Sequence, residues 1–267
     1  MEEGNVTNTD EPLLLESRDA RGVVTLTLNR PAAFNALSVA LIDALHAACQ
    51  RLALDADLRA VVIAANGRAF CAGHDLREMQ ASPSQSVYQV LFDRCGAMML
   101  ALHRLPVPVV ARVHGLATAA GCQLVALCDL AVAADSASFA TSGINVGLFC
   151  ATPSVTVSRN LPRKKAFELL VTGDFIDART ALAQGLVNRV VPAEALDDEV
   201  AALVASIVAK PRIALEMGKA LFYRQLETGL EAALHDAART MACNMADATA
   251  QEGVQAFIEK RAPSWRL

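Results

Sequence analysis

Two glycine-containing segments carry the chemistry most visible in this chain of 267 residues. They are Phe70-Cys71-Ala72-Gly73-His74-Asp75-Leu76 and His114-Gly115-Leu116-Ala117-Thr118-Ala119-Ala120-Gly121-Cys122-Gln123. Each follows a run with the composition of a buried strand. Each is small and apolar enough for backbone N–H groups to come close to a ligand. Residues 117–121 also open a helix, where the first N–H groups have no intrahelical acceptor and the dipole is positive. Two such donors, one from each loop, would stabilise an oxygen that becomes negative. Removing one donor of such a pair costs about 10²–10³ in rate. The same small residues also suit plain close packing of a helix on a sheet, and spacing alone leaves both readings open.

The elements that must hold these loops follow from periodicity. Leu13–Glu16 and Val23–Leu28 read as strands joined by a turn at 19–22. Ser38 caps a helix whose apolar face is Leu41, Leu45, Ala48 and Leu52. Ala60–Ala65 is a continuous apolar run, as expected of a strand buried on both faces. A polar stretch, 78–86, precedes a helix over 87–102. Pro106 and Pro108 break the chain before a strand over 109–113, then a helix over 119–127 and a strand over 130–134. The alternation predicts an α/β core with much parallel sheet. Beyond Pro162 helices are expected near Arg163, Asp177, Pro192, Pro211, Leu230 and Gln251, with one strand over 186–191. Leu230, Ala233, Ala237 and Met241 line one helix face, suited either to a partner subunit or to the chain's own domain. Residues 1–12 read as a flexible leader and 13–267 as one domain, its core over 13–190 and a helical region over 191–267.

Composition narrows the class. Hydrophobic residues make up 54% of the chain, enough for a sizeable core. The net charge of −4 and the lack of a basic stripe argue against nucleic acid. The short run Arg163-Lys164-Lys165 reads as a solvated helix start. Seven cysteines are scattered without CxxC spacing. That pattern predicts reduced thiols in a cytoplasmic protein, with no metal site and no disulfide framework. The longest apolar stretch, 113–128, is too short to span a bilayer.

Five motifs together resemble the enoyl-CoA hydratase/isomerase (crotonase) superfamily. They are Asn29-Arg30-Pro31 with Asn35-Ala36-Leu37; the segment from Phe70 to Leu76; Pro106 to Asp129; Thr172-Gly173 with Ala178 to Pro192; and Gln251 to Arg261. The resemblance runs from about Leu13 to the C-terminus. Within the superfamily, 117–123 and 145–150 are similar to the group called enoyl-CoA hydratase domain-containing protein 3. The resemblance implies a crotonase-like α/β fold of repeated ββα units and a helical C-terminal region that assembles trimers or dimers of trimers. It implies an acyl-CoA ligand, a place in fatty-acid or acyl-CoA metabolism and no further cofactor. The thioester oxygen would be held by the N–H groups of His74 and Ala120. Ala72, Gly73, His74, Asp75, Leu76 and Arg77 would pass the CoA moiety, and Phe257 and Lys260 would close over it. Lys260 reads equally well as an exposed helix lysine.

The pattern breaks at the acid–base pair. The glutamates of the family's hydratases map onto Gln123 and Gly143. Gln123 can orient a water but has no accessible proton-accepting state, and Gly143 has no side chain. Positioned acid–base groups contribute about 10²–10⁴ in rate, so hydration is expected to be slow. Other candidates are the His74 imidazole, His114, Asp75 and Cys150, each with an equally ordinary structural reading. Asp129 reads as a brace for the sheet, and His46, His103 and His235 as fillers. Three functions remain open at this level. One is an acyl-CoA enzyme using the oxyanion hole, with decarboxylation of a malonyl-type thioester as one candidate. The others are slow hydration and a non-catalytic acyl-CoA-binding or regulatory protein.

Overall fold

The computed structural model describes residues 11–265. Of the expected leader, only Glu11 and Pro12 fall among them. An antiparallel hairpin of β1 (Leu14–Arg18) and β2 (Val23–Leu28) opens the fold. Asp19 shapes its turn by accepting the N–H groups of Arg21 and Val23 at 2.9 and 3.0 Å. Helix α1 (Val39–Ala53) starts at Ser38, whose hydroxyl accepts the Leu41 N–H. A cap of this kind contributes about 1 kcal/mol. The predicted face of α1 is the buried one.

Three strand–strand–helix passages follow. The first is β3 (Ala60–Ala65), β4 (Ala69–Cys71), α2 (Leu76–Ala81) and α3 (Gln85–His103). The second is β5 (Val109–Val113), β6 (Leu116–Thr118) and α4 (Ala120–Leu127). The third is β7 (Leu130–Ala134), β8 (Ser138–Ala140) and α5 (Ala151–Asn160). Then come α6 (Arg163–Thr172), β9 (Ile176–Asp177), α7 (Ala178–Gln184) and β10 (Arg189–Val191). The chain finishes in α8 (Leu196–Val208), α9 (Arg212–Leu226), α10 (Leu230–Ala246) and α11 (Ala248–Ile258).

Each passage leaves one strand in a six-stranded sheet, order β1-β2-β3-β5-β7-β10, and the next in a four-stranded sheet, order β4-β6-β8-β9. Apart from the β1–β2 and β8–β9 pairs, all neighbours are parallel. This is the arrangement of repeated strand–strand–helix units that the resemblance implies. All six residues of β3 are buried, because apolar layers lie on both faces of its sheet. The larger layer includes α1, α3 and α4; the smaller is α8 against β3, β5 and β7.

Four expectations are corrected. Residues 69–71 and 116–118 lie in strands, so each glycine segment contains a strand end as well as a turn. The polar stretch 78–86 holds most of α2 and the start of α3, because Asp75 and Ser84 cap those helices. Beyond Pro162 a second short strand, β9, stands beside the one expected, its two residues too few to show a period. The strand expected over 186–191 is confined to β10.

Asp129 ties the C-terminal helices to this core. Its carboxylate accepts from the Val109 N–H, Lys219 Nζ and the Tyr223 hydroxyl, each at 2.7 Å. Lys219 Nζ also donates to the Val107 carbonyl at 2.9 Å. The two charged side chains are only 9% and 13% exposed. Removing one partner of such a pair leaves an uncompensated charge. Lys219→Met is therefore expected to lower stability by about 3 kcal/mol, read from the urea midpoint. The double variant with Asp129→Asn should lose less than the sum of the two single losses.

Candidate functional site

The motif Asn29 to Leu37 builds the first loop from below. Buried Asn35 accepts the Arg30 N–H and donates to the carbonyls of Asn66 and Ala69, all at 2.8 Å. Ala72 N–H donates to the Phe34 carbonyl, and Leu37 N–H to the Gly73 carbonyl. Asp75 N–H in turn donates to the Leu37 carbonyl. Arg30 pairs with Asp75 at 3.0 Å and holds its carboxyl below the usual range against the effect of burial. Asp75 thus braces the loop and caps α2.

The second loop is built by a backbone bend at Ala119, which has φ +50° without being glycine. Such a conformation costs on the order of 1–3 kcal/mol and needs a surrounding frame to persist. Here Ala119 N–H donates to the Ala140 carbonyl, and its own carbonyl accepts the Gln123 N–H. The chain thereby leaves β6 and enters α4 within one residue.

Gly73 brings the two loops together. It sits at φ +92°, and a Cβ there would lie 2.8 Å from Ala119 Cβ and 3.2 Å from the Ala120 nitrogen. Only glycine allows that approach at that φ. The N–H groups of His74 and Ala120 have no hydrogen-bond acceptor among the described residues. Both residues line one cavity of about 240 Å³. Its walls include Ala72, Leu76, Met79, Phe92, Ala119, Ser142, Gly143, Val146 and the segment 148–153, which runs into the first turn of α5.

The structure distributes the other sequence-predicted residues unevenly. Ala72, His74, Leu76, Ala120 and Gly143 line the cavity; Gly73, Asp75 and Arg77 support the loop without lining it. Gln123 is not on the cavity wall. It is 5% exposed, its Oε1 is buried without a partner, and α5 packs across α4, with the Thr156 hydroxyl reaching the Gln123 carbonyl. Gln123 Oε1, the atom expected to orient a water, has no protein partner among the described residues. Phe257 is 84% exposed and faces a separate groove with Pro211, Thr249 and Trp265. Lys260 follows the end of α11 at φ +55°. Neither residue reaches the cavity of its own chain.

Gly143 is closed to any side chain. A Cβ there would lie 2.6 Å from the Leu148 carbonyl oxygen and 2.9 Å from Cys150 Sγ. The space a glutamate would need is filled by the thiol and by backbone. Burial raises the Cys150 pKa, opposed by the Gly143 N–H, so this thiol is a poor nucleophile.

Among the described residues, His74 supplies the one imidazole on the cavity wall, and its pKa lies below that of a free imidazole. Burial pushes it down to about 4. Its ring meets Phe92 edge-on at 5.2 Å, and Nε2 is buried without a partner. The imidazole is neutral at pH 7. His114 lies in a different, polar cleft with Arg112 and Asp197, where Nε2 bonds the Gly67 carbonyl at 2.9 Å. His103 packs on Tyr223, away from the cavity. Sequence reasoning passed over Met79, Phe92, Ser142 and Thr152. Ser142 had one signal available, its place beside Gly143; the others had none short of the fold. No Asp, Glu, Lys or Arg lines the cavity among the described residues.

Two expectations follow. Gly143→Ala should cost about 1–3 kcal/mol in a urea titration, since the backbone at Leu148 must move; a Glu there is no simple restoration. For His74, the unfolded chain binds the proton more tightly than the folded one. Its contribution is full above pH 6.5 and is lost as pH falls toward 4. The melting temperature should fall more steeply across that window in the wild-type chain than in His74→Gln, and parallel curves would contradict the assignment.

Comparison with known proteins places this site in a family. The enoyl-CoA hydratase/isomerase family model matches residues 18–267. The enoyl-CoA hydratase domain-containing protein 3, mitochondrial, of Rattus norvegicus is 44% identical over 255 residues, covering 96% of this chain and 85% of that protein. A crystal structure of a Mycobacterium smegmatis enoyl-CoA hydratase superposes with a TM-score of 0.95 at 66% identity, covering 96% of this chain and 99% of the other. The human enoyl-CoA hydratase domain-containing protein 3 gives a TM-score of 0.92 at 41% identity, covering 95% and 100%. The chain belongs to the enoyl-CoA hydratase/isomerase family.

Proposed function

We propose that this protein is an acyl-CoA-binding enzyme that holds the thioester oxygen between the N–H groups of His74 and Ala120. The observation that carries this is the meeting of two acceptor-free backbone donors on one apolar cavity, made possible by Gly73. Donors placed there stabilise the negative charge of a thioester enolate in a water-poor setting. Leu76, Met79, Phe92 and Phe149 offer apolar wall for the acyl chain. Fatty-acid or acyl-CoA metabolism is the setting that fits such a ligand.

The acid–base chemistry differs from that of the two-glutamate pattern. Gln123 is buried and is an amide, Gly143 bears no carboxylate, and His74 is neutral and weakly basic. A second reading, an acyl-CoA-binding or regulatory protein without turnover, is favoured by the absence of any carboxylate from the cavity wall among the described residues. Decarboxylation draws no such support, since no wall cation is present there to hold a carboxylate.

The assembly proposed is a homotrimer or dimer of trimers. Phe222, Leu226, Leu230, Leu234, Met241 and Phe257 of the last three helices are exposed in the single chain, more apolar surface than a solitary subunit usually carries. Phe257 and Lys260 then reach a neighbour's ligand rather than their own. All seven cysteines are free, as suits a reducing, cytoplasmic compartment. No helix among the described residues is long and apolar enough to cross a membrane.

A mass-spectrometric screen with short acyl-CoA thioesters tests the reading. Binding of one thioester per chain is expected. Crotonyl-CoA hydration should run at least about 10²-fold below that of a family member with both glutamates. Hydration at the rate of such a member would contradict the acid–base account.

A further inference from the structure

The cavity wall is apolar except for His74, Cys150 and two hydroxyls, Ser142 and Thr152. One of those hydroxyls is built in. Ser142 Oγ lies 2.7 Å from Thr118 Oγ1, and the Ser142 N–H leans on the same Thr118 oxygen at 3.4 Å. Thr118 is buried at the end of β6, one residue before the bend at Ala119. Ser142 opens the turn that follows β8, and Thr118 pairs with Ala140 across the two strands. The hydroxyl pair is therefore fixed by the same sheet that fixes the Ala120 donor.

The proton arrangement follows from the inventory of each group. A hydroxyl donates one hydrogen and accepts up to two. Thr118 Oγ1 accepts the Ser142 N–H, so its own hydrogen is free to point at Ser142 Oγ. Ser142 then keeps its hydrogen and one lone pair. It has no other partner among the described residues.

We propose that Ser142 is a specificity-determining residue, oriented by Thr118, that reads a hydroxyl or oxo substituent on the acyl chain. This rests on the acyl-CoA reading above, with the thioester oxygen at His74 and Ala120. Ser142 lines the same cavity as His74 and Ala120, so an acyl chain held at those donors shares its wall. A saturated chain offers the Ser142 hydroxyl no partner beyond Thr118, whereas a hydroxyl or oxo group offers a second one. Sites built to bond a polar substituent discriminate strongly against analogues that lack it. Thr118 is the positioning residue, since it acts on ligand only through Ser142.

Calorimetry with butyryl-CoA, 3-hydroxybutyryl-CoA and acetoacetyl-CoA tests the proposal. In the wild-type chain the substituted thioesters should bind about tenfold more tightly than butyryl-CoA, as one good hydrogen bond implies. In Ser142→Ala that ratio should fall to near one. Thr118→Val, similar in shape, should reduce it, while Thr118→Ser, which keeps the hydroxyl, should restore it. Melting curves check that each variant folds. A wild-type ratio near one overturns the proposal and leaves acyl-CoA binding intact. So does a tenfold ratio that persists in Ser142→Ala. Failure of all three thioesters to bind the wild-type chain overturns the acyl-CoA reading itself.

Discussion

The close approach of Gly73 to Ala119 and Ala120 is the constraint on which the rest of this site depends. A methyl group at position 73 would meet Ala119 Cβ at 2.8 Å, on a backbone already at φ +92°. Without that contact the two loops separate, and the His74 and Ala120 donors no longer share a cavity. The scaffold works to keep it. Asn35 and Leu37 hold the first loop, and the Ala140 carbonyl holds the bend at Ala119. The positive φ at Ala119 is tolerated because β6, paired with β8, fixes the residue before it and α4 begins directly after it.

The same packing explains why the usual acid and base are missing from the wall. Helix α5 packs on α4, with the Thr156 hydroxyl at the Gln123 carbonyl, and Gln123 is buried. The turn after β8 folds so tightly that the Leu148 carbonyl and the Cys150 thiol occupy the space beside Gly143. The change from the two-glutamate pattern is thus more than two side-chain replacements. At position 143 the backbone and a thiol have closed around the glycine. What remains is a mostly apolar cavity whose polar features are two backbone N–H groups, a neutral imidazole and a fixed hydroxyl pair.

Much of this was legible in the residues. Ala60–Ala65, Val109–Val113 and the Ser38-capped helix follow from periodicity and capping, because their apolar patterns are long and unbroken. The two donor loops were visible as glycine-containing segments. The three-residue strands β4, β6 and β8 were not, since three residues carry no period and their pairing lies between distant parts of the chain. The burial of Gln123 was invisible for a similar reason: it depends on α5, thirty-odd residues along. Phe257 and Lys260 were matched by motif, yet one chain alone does not bring them to its cavity.

The most direct measurement is the carbonyl stretch of a ¹³C-labelled acyl-CoA thioester bound to the protein, isolated by infrared difference spectroscopy. Two backbone donors on the oxygen polarise the carbonyl, so the band should move to lower frequency on binding to the wild-type chain. The shift should be lost in Gly73→Ala. A bound thioester whose carbonyl band stays where it lies in water would contradict the central claim that these two N–H groups hold the oxygen.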